Sequence, residues 1–207
     1  MIKGYEKTYD WVVKLLQDCN FTDSTRRLGL RQISPNEVTV EFLGRLYFID
    51  KNGIHLKEEK IVWANKSEGF DFNVKSVLGY YVLSDCETEP VNEFCTLGNF
   101  SHGIFEKPIL DDPLGIFFDK NYQRFCDVAK KTGMIFDESQ SAGRFIWQYK
   151  LLPKIPVKLI YYEGDDEYPA NIQILYDKTA IQFFKFEPLA VLNGCFKEAL
   201  IAIGKNT

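Results

Sequence analysis

Hydrophobic positions along the chain recur in two rhythms, one helical and one alternating. Tyr5, Tyr9, Val12, Leu16 and Cys19 follow steps of three and four, which predicts an amphipathic first helix. In "NFTDSTRRLG", Thr22 or Asp23 supplies an N-cap and Gly29 a stop, so a short second helix follows. "SPNE" reads as a turn. Val38, Val40 and Phe42 then alternate with polar residues, as does "RLYFID" after Gly44. These are either two strands joined tightly or one strand bent at Gly44. "KNG" at 51–53 closes the unit with another turn.

A second helical stripe comprises Val74, Val77, Leu78, Tyr81 and Val82 and stops before the Pro90 region. "EFCTLGNFSHG" suits a strand running into a glycine-bearing loop. "DDPLGIFF" places acidic caps before Pro113 at a first helical turn, where a missing N–H costs nothing. Asp119 is positioned to cap the helix "KNYQRFCDVAKKTG", ended by Gly133. In the last third Phe145, Trp147, Tyr149 and Leu151 alternate with Arg144, Gln148 and Lys150, as a strand requires. "IPVKLIYYE" and "NIQILYD" add two more, with "GDDEYP" between them, making a three-stranded antiparallel meander. Glu187 and Pro188 open a final helix carrying Leu189, Leu192, Phe196, Leu200 and Ile203 on one face. The expected fold is α+β: an antiparallel sheet with hairpins and a C-terminal meander, packed by amphipathic helices. No repeat or linker divides residues 1–207, so one domain is expected.

Composition narrows the function classes. The 207 residues are 45% hydrophobic and include 17 Phe, 11 Tyr and 3 Trp, ample for one core, since each aromatic buries about 150–250 Å². The net charge of −4 is spread along the chain without a basic block, which argues against nucleic acid. No apolar run approaches the roughly 20 residues that span a bilayer, and the N-terminus does not read as a signal peptide. A cytoplasmic location without membrane association is expected. The five cysteines are widely spaced, with no CxxC pair, and so read as packed free thiols rather than zinc or iron–sulfur ligands.

Four carboxylates crowd the stretch "YYEGDDEYPA": Glu163, Asp165, Asp166 and Glu167. They offer oxygen ligands to a hard cation, with Asp165 and Asp166 the leading metal candidates. The spacing is not that of an EF-hand. Gly164 and the aspartates also supply ordinary turn chemistry between two strands, and that reading already accounts for them. Among the cations, Arg26, Arg27 and Arg45 are candidates for an anionic group, Arg45 because it follows Gly44 at a bend; solvation or pairing with the acidic surplus is the simpler reading. Cys95 and His102 lie close in sequence, as a nucleophile and base would. Neither phosphate-loop pattern, GxSxG elbow nor HExxH helix occurs.

The chain resembles domain of unknown function family 3786, a family of bacteria and archaea, many of them anaerobes. The resemblance rests on "RRLGL", "VEFLGRLYFI", "VKSVLGYYVL", "LPKIPVKLIYYEGDDEYPANIQILYDKTA" and "FEPLAVLNGCFKEAL", which run in order over nearly the whole chain. Its most specific part is Leu152 to Ala180. It implies that the acidity of the 163–167 loop recurs in the family. It also implies an aromatic-Val-Ser-Phe-Arg-Glu-like strand before a glycine-rich loop; here "FCTLGNFSHG" has Gly98 and Asn99 instead of the Arg-Glu pair. Some family members look fused to a four-cysteine iron–sulfur motif, which this chain lacks. By association the resemblance points to anaerobic one-carbon or corrinoid metabolism and names no reaction or cofactor. The expected role is a non-catalytic module binding a small molecule or a protein. The alternatives are a metal-dependent enzyme using residues 163–167, or a structural, oligomerising protein.

Overall fold

The structure, a computed structural model, describes residues 3–64, 66–101, 112–141 and 143–207, with only the backbone described for 138–141. Two helices open the chain, α1 (Gly4–Leu16) and α2 (Phe21–Leu28). The cap of α2 is Asn20, whose side chain accepts the Asp23 N–H at 3.2 Å, rather than Thr22 or Asp23. Gly29 ends the helix in the left-handed conformation at φ 65°, as a C-terminal glycine should.

Strands β1 (Arg31–Ser34), β2 (Glu37–Phe42), β3 (Arg45–Asp50) and β4 (Gly53–Glu59) form one antiparallel sheet in sequential order. The break at Gly44 is a hairpin between two strands. Leu43 and Gly44 both have positive φ, 47° and 76°, which matches the twist of a two-residue hairpin turn. A Cβ on Gly44 would stand 2.5 Å from Ile61 Cγ1, so the close approach as well as the turn demands glycine. β4 was not anticipated: "GIHLKEE" carries charges where an alternating pattern would be apolar, and most of the strand is exposed.

Helix α3 (Phe70–Val82) follows. A five-stranded sheet is then assembled from β5 (Phe94–Thr96), β6 (Ile135–Ser141), β7 (Arg144–Leu152), β8 (Ile155–Tyr162) and β9 (Asn171–Asp177), in the order β5-β9-β8-β7-β6. The predicted meander β7–β8–β9 forms its centre, and every pairing is antiparallel. The edge strand β6 was missed because "IFDESQS" has no apolar alternation; Ile135 and Phe136 are 71% and 46% exposed. Between the sheet strands lie α4 (Pro113–Phe117) and α5 (Tyr122–Lys131), and α6 (Ala180–Phe183) precedes the long α7 (Phe186–Gly204). Asp112 caps α4 ahead of Pro113, while Asp111 lies outside the described residues.

The core has one continuous set of buried side chains running from Val12 to Ile203. Leu189, Leu192, Phe196, Ala199, Leu200 and Ile203 of α7 are buried within it. α7 packs against α3, α4 and α5, and β2 touches β7, so both sheets share that core. Tyr149 on β7 stacks on Phe196 with ring centroids 6.2 Å apart. Among the described residues no helix is long and apolar enough to cross a membrane.

Candidate functional site

The acidic loop is built as a turn. Asp165 Oδ1 accepts the backbone N–H of Glu167 at 2.9 Å and of Tyr168 at 2.8 Å, and the Asp165 N–H donates to the Tyr168 carbonyl at 2.9 Å. These backbone donors, Tyr168 first, hold the Asp165 carboxyl below its ordinary range. Asp119, expected to cap α5, instead accepts the Ala170 N–H at 2.7 Å, and Asn121 is the cap. The far end of the loop is thereby tied to the α4–α5 junction, where Tyr161 Oη also donates to the Phe118 carbonyl at 2.9 Å. Glu163, Asp165, Asp166 and Glu167 are exposed. Among the described residues no three His, Cys, Asp or Glu side chains are grouped to hold a metal ion.

Arg45 lies elsewhere and is 4% exposed. Its guanidinium pairs with Glu59, reaches Asp71 at 3.4 Å and stacks over the Trp63 ring at 3.8 Å from the centroid. Lys66 adds a second cation on Asp71, 2.8 Å from both carboxylate oxygens. None of these partners of Arg45 comes from the 163–167 loop. Arg26 pairs with Asp23 and Glu87, and Arg27 with Asp23 and the Ser84 carbonyl. These arginines clamp the α2 surface to the segment after α3. Cys95 is half-buried and burial pushes its thiol up, away from the thiolate a nucleophile needs; His102 lies outside the described residues.

A cleft of about 500 Å³ lies between residues 89–92 and the β7–β8 hairpin. That volume falls within the roughly 300–1,000 Å³ typical of ligand pockets. Pro90, Pro153 and Pro156 give it rigid apolar walls, with Ile135 and Val157 beside them. Glu89, Asn92, Gln148 and Lys150 supply polar groups. Gln148 and Lys150 are exposed on β7 because the strand alternation turns them away from buried Trp147 and Leu151. Lys150 and Pro153 also border a second hollow of about 350 Å³ on the other side, facing Arg31, Thr39 and Glu41 of the first sheet.

The 89–92 wall has no regular secondary structure, yet it is fixed. Asp177, at the end of β9 and fully buried, accepts the N–H of Val91 at 3.3 Å and of Asn92 at 2.6 Å. It also accepts the Thr179 N–H at 3.0 Å and hydroxyl at 2.7 Å. Burial alone would raise this carboxyl; the hydrogen bonds outweigh burial and hold it below its ordinary range. Asn92 sits in the left-handed region at φ 59°, a conformation asparagine tolerates better than most residues. Lys154 on the hairpin pairs with Glu89, and its N–H donates to Tyr81 Oη at 2.9 Å. Both sides of the cleft are therefore held by contacts within the fold itself.

Sequence reasoning did not single out Asn92, Asp177, Gln148 or Lys150 as a group. The available signals were "PVN", the prolines of "LPKIP", and an aspartate ending an otherwise apolar strand. A family model described as Domain of unknown function (DUF3786) matches residues 20–199. No curated protein and no solved structure matches the chain.

Proposed function

The chain belongs to the domain of unknown function family 3786, and from that premise we propose that it is a non-catalytic binding module whose ligand occupies the 89–92/β7–β8 cleft. The observation that carries this reading is the four-donor clamp of Asp177. A buried carboxylate stabilises an irregular loop in a left-handed turn and so fixes one wall of a cleft. The prolines suit the flat apolar body of a small molecule. Asn92 and Gln148 offer amide donors and acceptors, and Lys150 supports an anionic substituent.

The acidic loop favours no metal-dependent enzyme, because Asp165 is committed to its own turn. An accessory role in anaerobic one-carbon metabolism, in the cytoplasm, is the context the family association suggests. It sets the test: thermal unfolding of anaerobically purified protein against folates, corrinoids, small dicarboxylates and divalent cations. A ligand at 100 times its dissociation constant adds about 2.7 kcal/mol, a melting shift of roughly 5–10 °C for a chain of this size. The expected result is a shift with an organic ligand that is reduced in a Gln148→Ala/Lys150→Ala variant. Substrate turnover lost on changing Asp165 or Asp166 would overturn the proposal.

A further inference from the structure

A separate cavity of about 270 Å³ lies where α1, α3 and the first turn of α7 meet. Ser76 lines it and is only 3% exposed, yet its Oγ has no hydrogen-bond partner. A serine inside a helix ordinarily returns its hydroxyl to the carbonyl four residues back, and leaving it unpaired in the interior is costly. Three further polar groups border the same space: the Asn73 amide, the Tyr80 hydroxyl and the Glu187 carboxylate. Glu187 raises the Tyr80 hydroxyl further, after the larger effect of burial, so the phenol stays protonated. Among the described residues, none of these three side chains has a hydrogen bond or an ion pair. Thr8 differs, since its hydroxyl already donates to the Gly4 carbonyl at 3.1 Å. Val77 and Pro188 supply apolar wall.

This inventory is rich in acceptors and carries one negative charge with no cation lining the cavity. An ammonium group has three donors and no acceptor, so a carboxylate, a hydroxyl and an amide oxygen together match it. We propose that the cavity binds a small primary amine in its ammonium form, with a short alkyl part against Val77 and Pro188. The site is independent of the cleft at residues 89–92.

The test is a titration of the isotope-labelled full chain with n-butylamine at neutral pH, followed by amide chemical shifts, with n-butanol and butyrate as controls. The expected result is saturable shifts at Asn73, Ser76 and Tyr80 with butylamine and none with either control. Glu187→Gln keeps the shape and removes the charge, and should weaken binding by at least about tenfold, the loss expected for a charge-assisted hydrogen bond. Ser76→Ala, which removes the unpaired hydroxyl and enlarges the cavity only slightly, should also weaken binding. No saturable shift at millimolar amine, equal shifts with butanol, or unchanged affinity in Glu187→Gln would each overturn the proposal.

Discussion

Asp177 Oδ2 accepts the Asn92 backbone N–H at 2.6 Å across 85 positions of sequence. That contact joins the end of β9 to a segment without regular secondary structure. A charge-assisted bond of this kind is short and strong, and the carboxylate makes three more from one buried position.

Replacing Asp177 by alanine should therefore leave four donors unpaired and cost on the order of 3 kcal/mol or more. The pH dependence follows from the sign of the shift. The folded carboxyl titrates below its unfolded value of about 3.9, so its stabilisation is complete above that value and lost as pH falls through the folded value. Urea unfolding of wild type and Asp177→Asn should differ most near neutral pH and converge in strong acid. A difference that stays constant down the acid range would contradict the ionised clamp.

Asp165 separates a turn from a metal site. Asp165→Asn keeps an oxygen acceptor for the N–H groups of Glu167 and Tyr168 and should melt close to wild type. Asp165→Ala loses both bonds and should melt lower, while Asp166→Asn should be silent. Metal analysis of the same preparations is the check: equal metal content across the series supports the turn, and selective loss in the asparagine variants supports a site.

Arg45 should act on stability and not on ligand binding. Lysine cannot reproduce the guanidinium fork between Glu59 and Asp71 or its stacking on Trp63. Both partners retain solvent contact, so the expected loss for Arg45→Lys is about 1–3 kcal/mol. Calorimetry gives the loss, and a red shift in tryptophan emission would report the uncovered Trp63 ring.

Two helical glycines should respond in opposite directions. A Cβ on Gly79 would stand 2.3 Å from Val12 Cγ1 and 3.2 Å from Ile54 Cδ1, where α1 crosses α3. Gly79→Ala should cost about 1–3 kcal/mol from overpacking, more than the roughly 1 kcal/mol gained in helix propensity. Gly194, exposed on α7, has nothing within 4 Å of a built Cβ. Gly194→Ala should stabilise by about 0.5–1 kcal/mol. Chemical denaturation of the two variants measures both signs.

The parts of the fold legible in sequence were those whose pattern is local. α3 and α7 keep apolar residues at helical spacing because one face of each meets the core. β7 alternates because one of its faces packs against α7 through Tyr149 and Phe196. β4 and β6 escaped notice because edge strands leave most of their side chains in water, and "HLKEE" and "DESQS" carry the polar residues that such positions permit. The acidic loop was conspicuous in sequence through its charge, yet its geometry is explained by one aspartate satisfying backbone N–H groups. The cleft was invisible because no stretch of sequence contains it. Asn92 and Lys150 become neighbours of one hollow only after Asp177 pins one segment and the β7–β8 pairing places the other.

Amide chemical-shift mapping of the labelled protein against the folate, corrinoid and dicarboxylate panel tests the central claim most directly. The cleft account predicts a ligand whose saturable shifts centre on Asn92, Gln148 and Lys150, and whose binding weakens in Gln148→Ala/Lys150→Ala. Shifts centred on the 163–167 loop, or a ligand bound equally well by that double variant, would contradict it.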